Sequence, residues 1–281
     1  MSAITALGGL LPRKYLQTDG LATLVHHRGA ATLPGQGPDT SNGTTIVMLH
    51  DAGSNGNEFG ALMDALDGDH SPVSFDQPGH GRSGGLDSLG SVAAMADHAA
   101  SVLGAWGLTD VVLVGEGMGA AVGLELAGRP SSPVVAVVAV GAAGLTFDLD
   151  DEIAQLAAIT SGKARRQFDQ TGFAPDADSA VFTTSFQEWV KTDPRATVND
   201  RRGQAAWDGA AAAAAVVCPV VVIVGEHQDA GERSAAEAVA EACSSGRVAE
   251  LPGAARHGII EQPVGLAALV NEVVAGLELS A

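Results

Sequence analysis

The sequence predicts an α/β fold, a mostly parallel sheet of about eight strands flanked by helices and interrupted once by a helical insertion. Short runs of β-branched and other apolar residues recur at Thr45–Leu49, Val111–Val114, Val134–Val140 and Val220–Val224, the pattern of strands covered on both faces. Helical stretches stand between them: in 89–106, Val92, Met95, Ala96, Ala99, Val102 and Leu103 form one apolar stripe. Gly115, Gly117 and Gly119 then follow the strand from Val111, immediately before a helix of small residues. Glycines at that spacing permit a sharp strand-to-helix turn and a close approach of the two backbones.

Taken in order, Tyr15–Gln17 and Leu21–His27 alternate around Asp19-Gly20 and predict an opening hairpin. Ala30–Gly43, with its prolines and glycines, is an exposed loop. Val73–Asp76 is a strand leading into Gln77-Pro78-Gly79-His80-Gly81-Arg82-Ser83, where proline and glycine set a turn. Asp76, His80 and Arg82 hold that turn. The stretch 145–202 breaks the strand–helix rhythm: it is charged, helical in patches, and carries Phe147, Phe168, Phe173, Phe182, Phe186 and Trp189. Ala206–Val217 reads as a helix, Ser234–Ala242 as another, Val248–Leu251 as a last strand and Val264–Leu277 as a closing amphipathic helix.

The 281 residues suffice for one large domain with its own core. A net charge of −18 argues against nucleic acid and acidic membrane surfaces as partners. There is no run of eighteen apolar residues to span a bilayer, and Met1–Leu11 lacks the basic start of a signal peptide. Cys218 and Cys243 have no C-x-x-C spacing, and no histidine takes a metal-ligand spacing beside cysteine or glutamate. These features predict a cytoplasmic monomer or homodimer that acts on a small molecule without metal or cofactor.

Gly115-Glu116-Gly117-Met118-Gly119 resembles the nucleophile elbow, G-x-S-x-G, of the α/β-hydrolase family, with glycine at the apex in place of serine. Three further motifs occur in family order: His50-Asp51 after the strand Thr45–Leu49, the D-x-P-G-H-G-x-S turn from Asp76 to Ser83, and His257 in a late glycine-bounded loop. The likeness spans about Tyr15 to Leu279 and is closest to the cap-bearing branch of esterases and meta-cleavage hydrolases. It implies an α/β-hydrolase core in residues 1–144 and 203–281, with 145–202 as a helical cap. It also implies that the backbone N–H groups of Ala52 and Met118 form an oxyanion hole.

In the family order the acid follows the nucleophile and precedes the histidine. His257 then takes the histidine position, and Asp229 or Glu226, after the strand Val220–Val224, supplies the acid. Asp229 is the favoured partner, although the position three residues after the strand-ending Gly225 holds Gln228. Gly117 leaves the nucleophile position vacant, and Glu116 is expected to point back into the sheet–helix junction. Asp51 is expected to turn outward and cap its loop. Turned inward, it opposes an oxyanion or acts as an acid or base, and His50 beside it is a further pocket candidate.

Two functions follow from this pattern. In the first, the protein is an enzyme without a serine nucleophile. His257 and Asp229 then activate water or move a proton on a small, largely apolar carbonyl or ester compound, in a hydrolase or a lyase- or cyclase-like reaction. In the second, it is a non-catalytic member of the fold that keeps the pocket to bind a small ligand or a protein partner.

Overall fold

The computed structural model describes residues 13–141 and 144–278, so the opening Met1–Leu11 lies outside the described residues. Among the described residues there are eight strands: β1 (Arg13–Thr18), β2 (Leu21–His27), β3 (Thr45–Leu49), β4 (Ser71–Phe75), β5 (Val111–Glu116), β6 (Val134–Val140), β7 (Val220–Gly225) and β8 (Gly246–Leu251). They form one sheet in the order β1-β2-β4-β3-β5-β6-β7-β8. β1 and β2 pair antiparallel, with Asp19 and Gly20 both at positive φ in the turn, and β2 runs antiparallel to β4. All other pairings are parallel.

Side chains alternate across the sheet, so β5 sends Val111 and Leu113 to one face and Val112 and Val114 to the other. The first face packs against α2 (Val92–Trp106), α3 (Met118–Ala127), α7 (Gly209–Ala215) and α8 (Ala230–Ala242). The second packs against α1 (Gly60–Leu66), α9 (Gly258–Glu261) and α10 (Pro263–Glu278). Between β6 and α7 stand α4 (Asp150–Thr160), α5 (Ser179–Trp189) and α6 (Pro194–Ala205), across the carboxyl ends of the strands.

Several boundaries differ from the sequence reading, each for a local reason. The helix expected over 206–217 begins only at Gly209, because Asp208 caps it by accepting from the Ala211 N–H at 3.1 Å. Trp207 just before it is held away from helical continuation, stacked on Phe147 and donating to Glu125. α8 starts at Ala230 rather than Ser234: Asp229 and Glu232 form a capping box, each side chain paired with the other's backbone N–H. The short α1 and the 3-10 turn Gly56–Phe59 before it lack a long apolar period and have no counterpart in the sequence reading.

The tight fit of α3 onto the sheet depends on glycine. A Cβ at Gly119 would land on the Leu49 carbonyl, and one at Gly115 would fall 2.5 Å from the Ala120 nitrogen. Gly119→Ala therefore forces α3 away from β3. It is expected to lower stability by about 1–3 kcal/mol, the usual cost of overpacking, read as an earlier denaturant midpoint at unchanged slope.

Candidate active site

The turn from β5 into α3 holds Gly117 at φ 52°, ψ −110°, a conformation that costs a residue with a side chain about 1–3 kcal/mol. Its missing side chain leaves room that is filled from β3's carboxyl end. A Cβ on Gly117 would lie 2.5 Å from Asp51 Cγ and closer still to Oδ1. Asp51 thus points inward, correcting the expectation that it turns out to cap its loop. That capping is done by Asn55, whose Oδ1 accepts from the Asn57 N–H at 3.1 Å.

The Met118 N–H donates to Asp51 Oδ1 at 2.7 Å, so an amide implied for an oxyanion is already engaged. Arg201, from α6, grips the same carboxylate with two parallel bonds, Nη1 to Oδ1 at 3.1 Å and Nη2 to Oδ2 at 3.0 Å. Burial alone would raise the Asp51 pKa. Arg201 and the amides of Met118 and Ala52 outweigh it and hold the carboxyl below its ordinary value. Burial likewise disfavours the Arg201 cation, yet Asp51 and Glu152 keep its pKa raised.

His257 lies in the loop between β8 and α9, with its ring against Phe173 at 4.4 Å between centroids. Gly172 passes so close that a Cβ there would sit 3.0 Å from Nε2. The Asp229–His257 hydrogen bond expected from sequence is not formed. Asp229 is exposed and its carboxylate is used by the capping box of α8, accepting from the Glu232 N–H at 2.8 Å. Glu226 is also exposed and accepts from the Gly253 N–H. Gln228 is buried at the end of β7 instead. Its carbonyl accepts from the Gly225 N–H at 2.7 Å, and its amide donates to the Gly141 carbonyl at 3.3 Å.

The carboxylate nearest His257 comes from the elbow. Glu116 Oε1 stands 3.7 Å from His257 Nδ1, an ion-pair distance. Because side chains alternate along β5, Glu116 follows Val112 and Val114 to the face where α9 and the His257 loop lie, rather than into the junction with α3. Burial disfavours the His257 cation, but Glu116, then Asp51 and Glu261, raise its pKa overall. Glu116 itself is raised, mainly by burial, with Asp51 and Glu261 adding to the shift and His257 opposing it. Glu58, on the 3-10 turn, is raised further, first by burial and then by Glu116.

These groups open onto one cavity of about 800 Å³. Its floor includes Asp51, Ala52, Glu58, Glu116, Gly117 and His257; its wall includes Phe147, Leu156, Ile159, Phe168, Trp189 and Arg201 from 145–202. Met118 does not line the cavity: its side chain is wholly buried and its backbone N–H is engaged by Asp51. His50, a pocket candidate from sequence, is buried at 1% exposure and does not line the cavity. Its Nδ1 meets the Asp51 carbonyl at 2.8 Å and its Nε2 accepts from the Gln77 N–H at 3.0 Å. Burial and His80 lower its pKa to about 4, keeping it neutral.

The wall is tied to the sheet by polar contacts. His80 Nε2 meets Asp200 Oδ2 at 2.6 Å, both buried, one residue before Arg201 on α6. Asn57 donates to Glu188 on α5 at 3.1 Å. Glu261 accepts from the N–H groups of Ala174 at 2.6 Å and Ala255 at 2.9 Å, joining the loop over His257 to the loop that carries it. Among the described residues, no three His, Cys, Asp or Glu side chains are grouped to hold a metal ion. No helix among them is long and apolar enough to cross a membrane.

Residues 46–269 match the model of the alpha/beta hydrolase family. The chain belongs to the alpha/beta hydrolase family. As an α/β hydrolase it resembles solved structures over nearly its whole length. One is the enol-lactonase from Burkholderia xenovorans, with TM-score 0.79 and 17% identity, covering 93% of this chain and 99% of that one. Another is an esterase from Exiguobacterium antarcticum, with TM-score 0.79 and 19% identity over 93% and 99%. A third is the haloalkane dehalogenase DbeA from Bradyrhizobium elkani, with TM-score 0.75 and 16% identity over 96% and 100%. At these identities the likeness speaks for the fold. A search of curated proteins finds no match.

Sequence reasoning missed three polar groups of the α/β-hydrolase cavity. The two-residue period of β5 carries the signal for Glu116, and the D-x-x-E pattern of Asp229 and Glu232 marks Asp229 as a helix cap. Arg201 and Glu58 carried no such signal.

Two outcomes test this geometry. Gly117→Ser alone places its side chain on the Asp51 carboxylate and is expected to give a destabilised protein that a serine-directed fluorophosphonate does not label. Adding Asp51→Gly clears the space and frees the Met118 amide, and labelling is expected only in that double variant. The second concerns pH. Asp51's depressed pKa contributes stability that is present above about pH 4 and lost as pH falls through the folded value. Asp51→Asn should therefore lower stability at pH 7 by on the order of 2 kcal/mol, less than for a fully buried pair, with the gap to the parent closing in acid.

Proposed function

We propose that this α/β hydrolase carries out acid–base chemistry on a small, largely apolar carbonyl or ester compound without a serine nucleophile. The observation that carries this reading is the pairing of His257 with Glu116 on the cavity floor, while the Met118 amide is engaged by Asp51. Acyl transfer through an elbow nucleophile is removed twice over: Gly117 has no attacking atom, and a carboxylate stands where an oxyanion would form. A base with a carboxylate beside it remains. His257 takes a proton from water or from the substrate, and Glu116 stabilises the resulting imidazolium. Glu116 thus assumes the part that the family resemblance gives to Asp229.

Residues 145–202 act as the cap, excluding water and offering Phe147, Leu156, Ile159, Phe168 and Trp189 to the apolar part of the substrate. The neighbours named enol-lactonase and esterase support a carbonyl compound by analogy. The proposed steps use side chains alone, in a cytoplasmic protein acting as monomer or homodimer. One observation favours a second reading, a non-catalytic ligand-binding protein: the Asp51–Arg201 pair satisfies the former reacting centre internally.

The test uses a panel of small aryl ketones and aryl esters in D2O, followed by proton NMR for exchange beside the carbonyl and for hydrolysis. The acid–base reading expects turnover with at least one member, reduced about 10²–10⁴-fold by His257→Ala and reduced by Glu116→Gln. Binding of panel members without exchange or hydrolysis above the solvent rate would establish the second reading instead.

A further inference from the structure

We propose that the cavity floor at Glu116 and Glu58 recognises a protonated amine, so that the ligand of this protein is a small organic cation with an apolar body. This rests on the reading above only in taking the cavity as the ligand site.

Glu116 is 5% exposed, lines the cavity, and its Oε1 has no hydrogen-bond partner among the described residues. The nearest donor, His257 Nδ1, is 3.7 Å away, beyond hydrogen-bond reach. A buried carboxyl oxygen without a donor is unfavourable, and the need is greater when the group is charged. Glu58 lines the same floor, and each of the two carboxyls feels a neighbouring acid: Glu116 acts on Glu58, and Asp51 acts on both. Mutual repulsion of this kind favours retention of a proton or the arrival of a cation.

Other charged groups of the cavity already have partners. Asp51 and Glu152 hold Arg201, and Arg256 binds Glu232. Arg166 lies 3.9 Å over the Trp189 ring and donates to its carbonyl at 2.7 Å. On the floor, Glu116 has His257 at ion-pair distance, but its Oε1 accepts no hydrogen bond, and an ammonium group offers both a further opposite charge and several donors. A ligand carboxylate would instead meet Asp51, Glu58 and Glu116. The apolar body has Phe147, Leu149, Leu156, Ile159 and Phe168 to rest against. A net charge of −18 further concentrates cations at the protein and repels anions.

The probes are benzylamine, benzyl alcohol and benzoate, which share a ring and differ in charge, titrated into the full chain by calorimetry at pH 7. Benzylamine is expected to bind at least tenfold more tightly than benzyl alcohol, and benzoate more weakly than either. Glu116→Gln should weaken benzylamine at least tenfold and bring its affinity close to that of benzyl alcohol, with Glu58→Gln acting in the same direction. Circular dichroism and melting confirm that each variant is folded. In two buffers of different ionisation enthalpy, benzylamine binding should release protons from the floor. The charged groups facing it are Glu58, Asp51, Glu188, Glu261, His257 and Arg201. Benzoate binding as tightly as benzylamine, no binding of benzylamine, or unchanged amine affinity in both variants would overturn the proposal. Amine binding without turnover anywhere in the ketone and ester panel would sink the acid–base reading and leave this one standing. Turnover without amine binding would do the reverse.

Discussion

The Asp51 carboxylate, seated on the Met118 amide and gripped by Arg201, is the contact on which the rest of the cavity depends. It requires a residue without Cβ at position 117, because any side chain there would overlap it. It is also held by a cation from α6, which with the Met118 and Ala52 amides outweighs the burial that disfavours a charged Asp51. Two features that look unrelated in the sequence, a glycine at the elbow apex and an aspartate after His50, are therefore two sides of one packing solution. The cation completing it lies 150 residues further along the chain.

That contact also orders the charges around it. With Asp51 and Arg201 paired, the floor is left with His257, Glu116 and Glu58, whose pKa values are all raised. Raised carboxyl pKa values run against stability at neutral pH, because the folded state resists an ionisation the unfolded chain allows. Three titratable groups held in this way around one cavity are typical of a site arranged for a ligand or a proton rather than for rigidity. The histidine keeps a carboxylate beside it although the end of β7 offers only the Gln228 amide. The acid is supplied by β5 instead.

The insertion is part of the same arrangement. α6 presents Asp200 to His80 and Arg201 to Asp51 from adjacent positions, so one turn of helix is anchored to both the β3 and β4 loops. Glu261 ties the segment over His257 to the loop bearing that histidine. The aromatic residues divide their work. Phe168 packs with Phe173, Phe186 and Trp189 in an aromatic cluster of the insertion, while Phe147, Phe168 and Trp189 also face the cavity.

The sequence by itself determined the layers. Runs of valine buried on both faces, helical stripes between them and glycines at 115, 117 and 119 are local patterns, and each dictates its element wherever it occurs. The hairpin at Asp19-Gly20 and the central strands β3, β5, β6 and β7 were legible for that reason. Positions of individual groups near the apex, such as Gly117 and His257, were legible from motif order. What partners those groups take was decided only by the tertiary structure. Asp229 and Glu116 are both acids close to the right strands, but one is claimed by the capping box of its own helix and the other is carried by strand alternation toward the histidine loop. Asp51 turns inward because a guanidinium from a distant helix reaches it. Which of these acids ends beside the histidine, and which cation reaches Asp51, depends on distances between segments far apart in the chain, and no local pattern of residues encodes those distances.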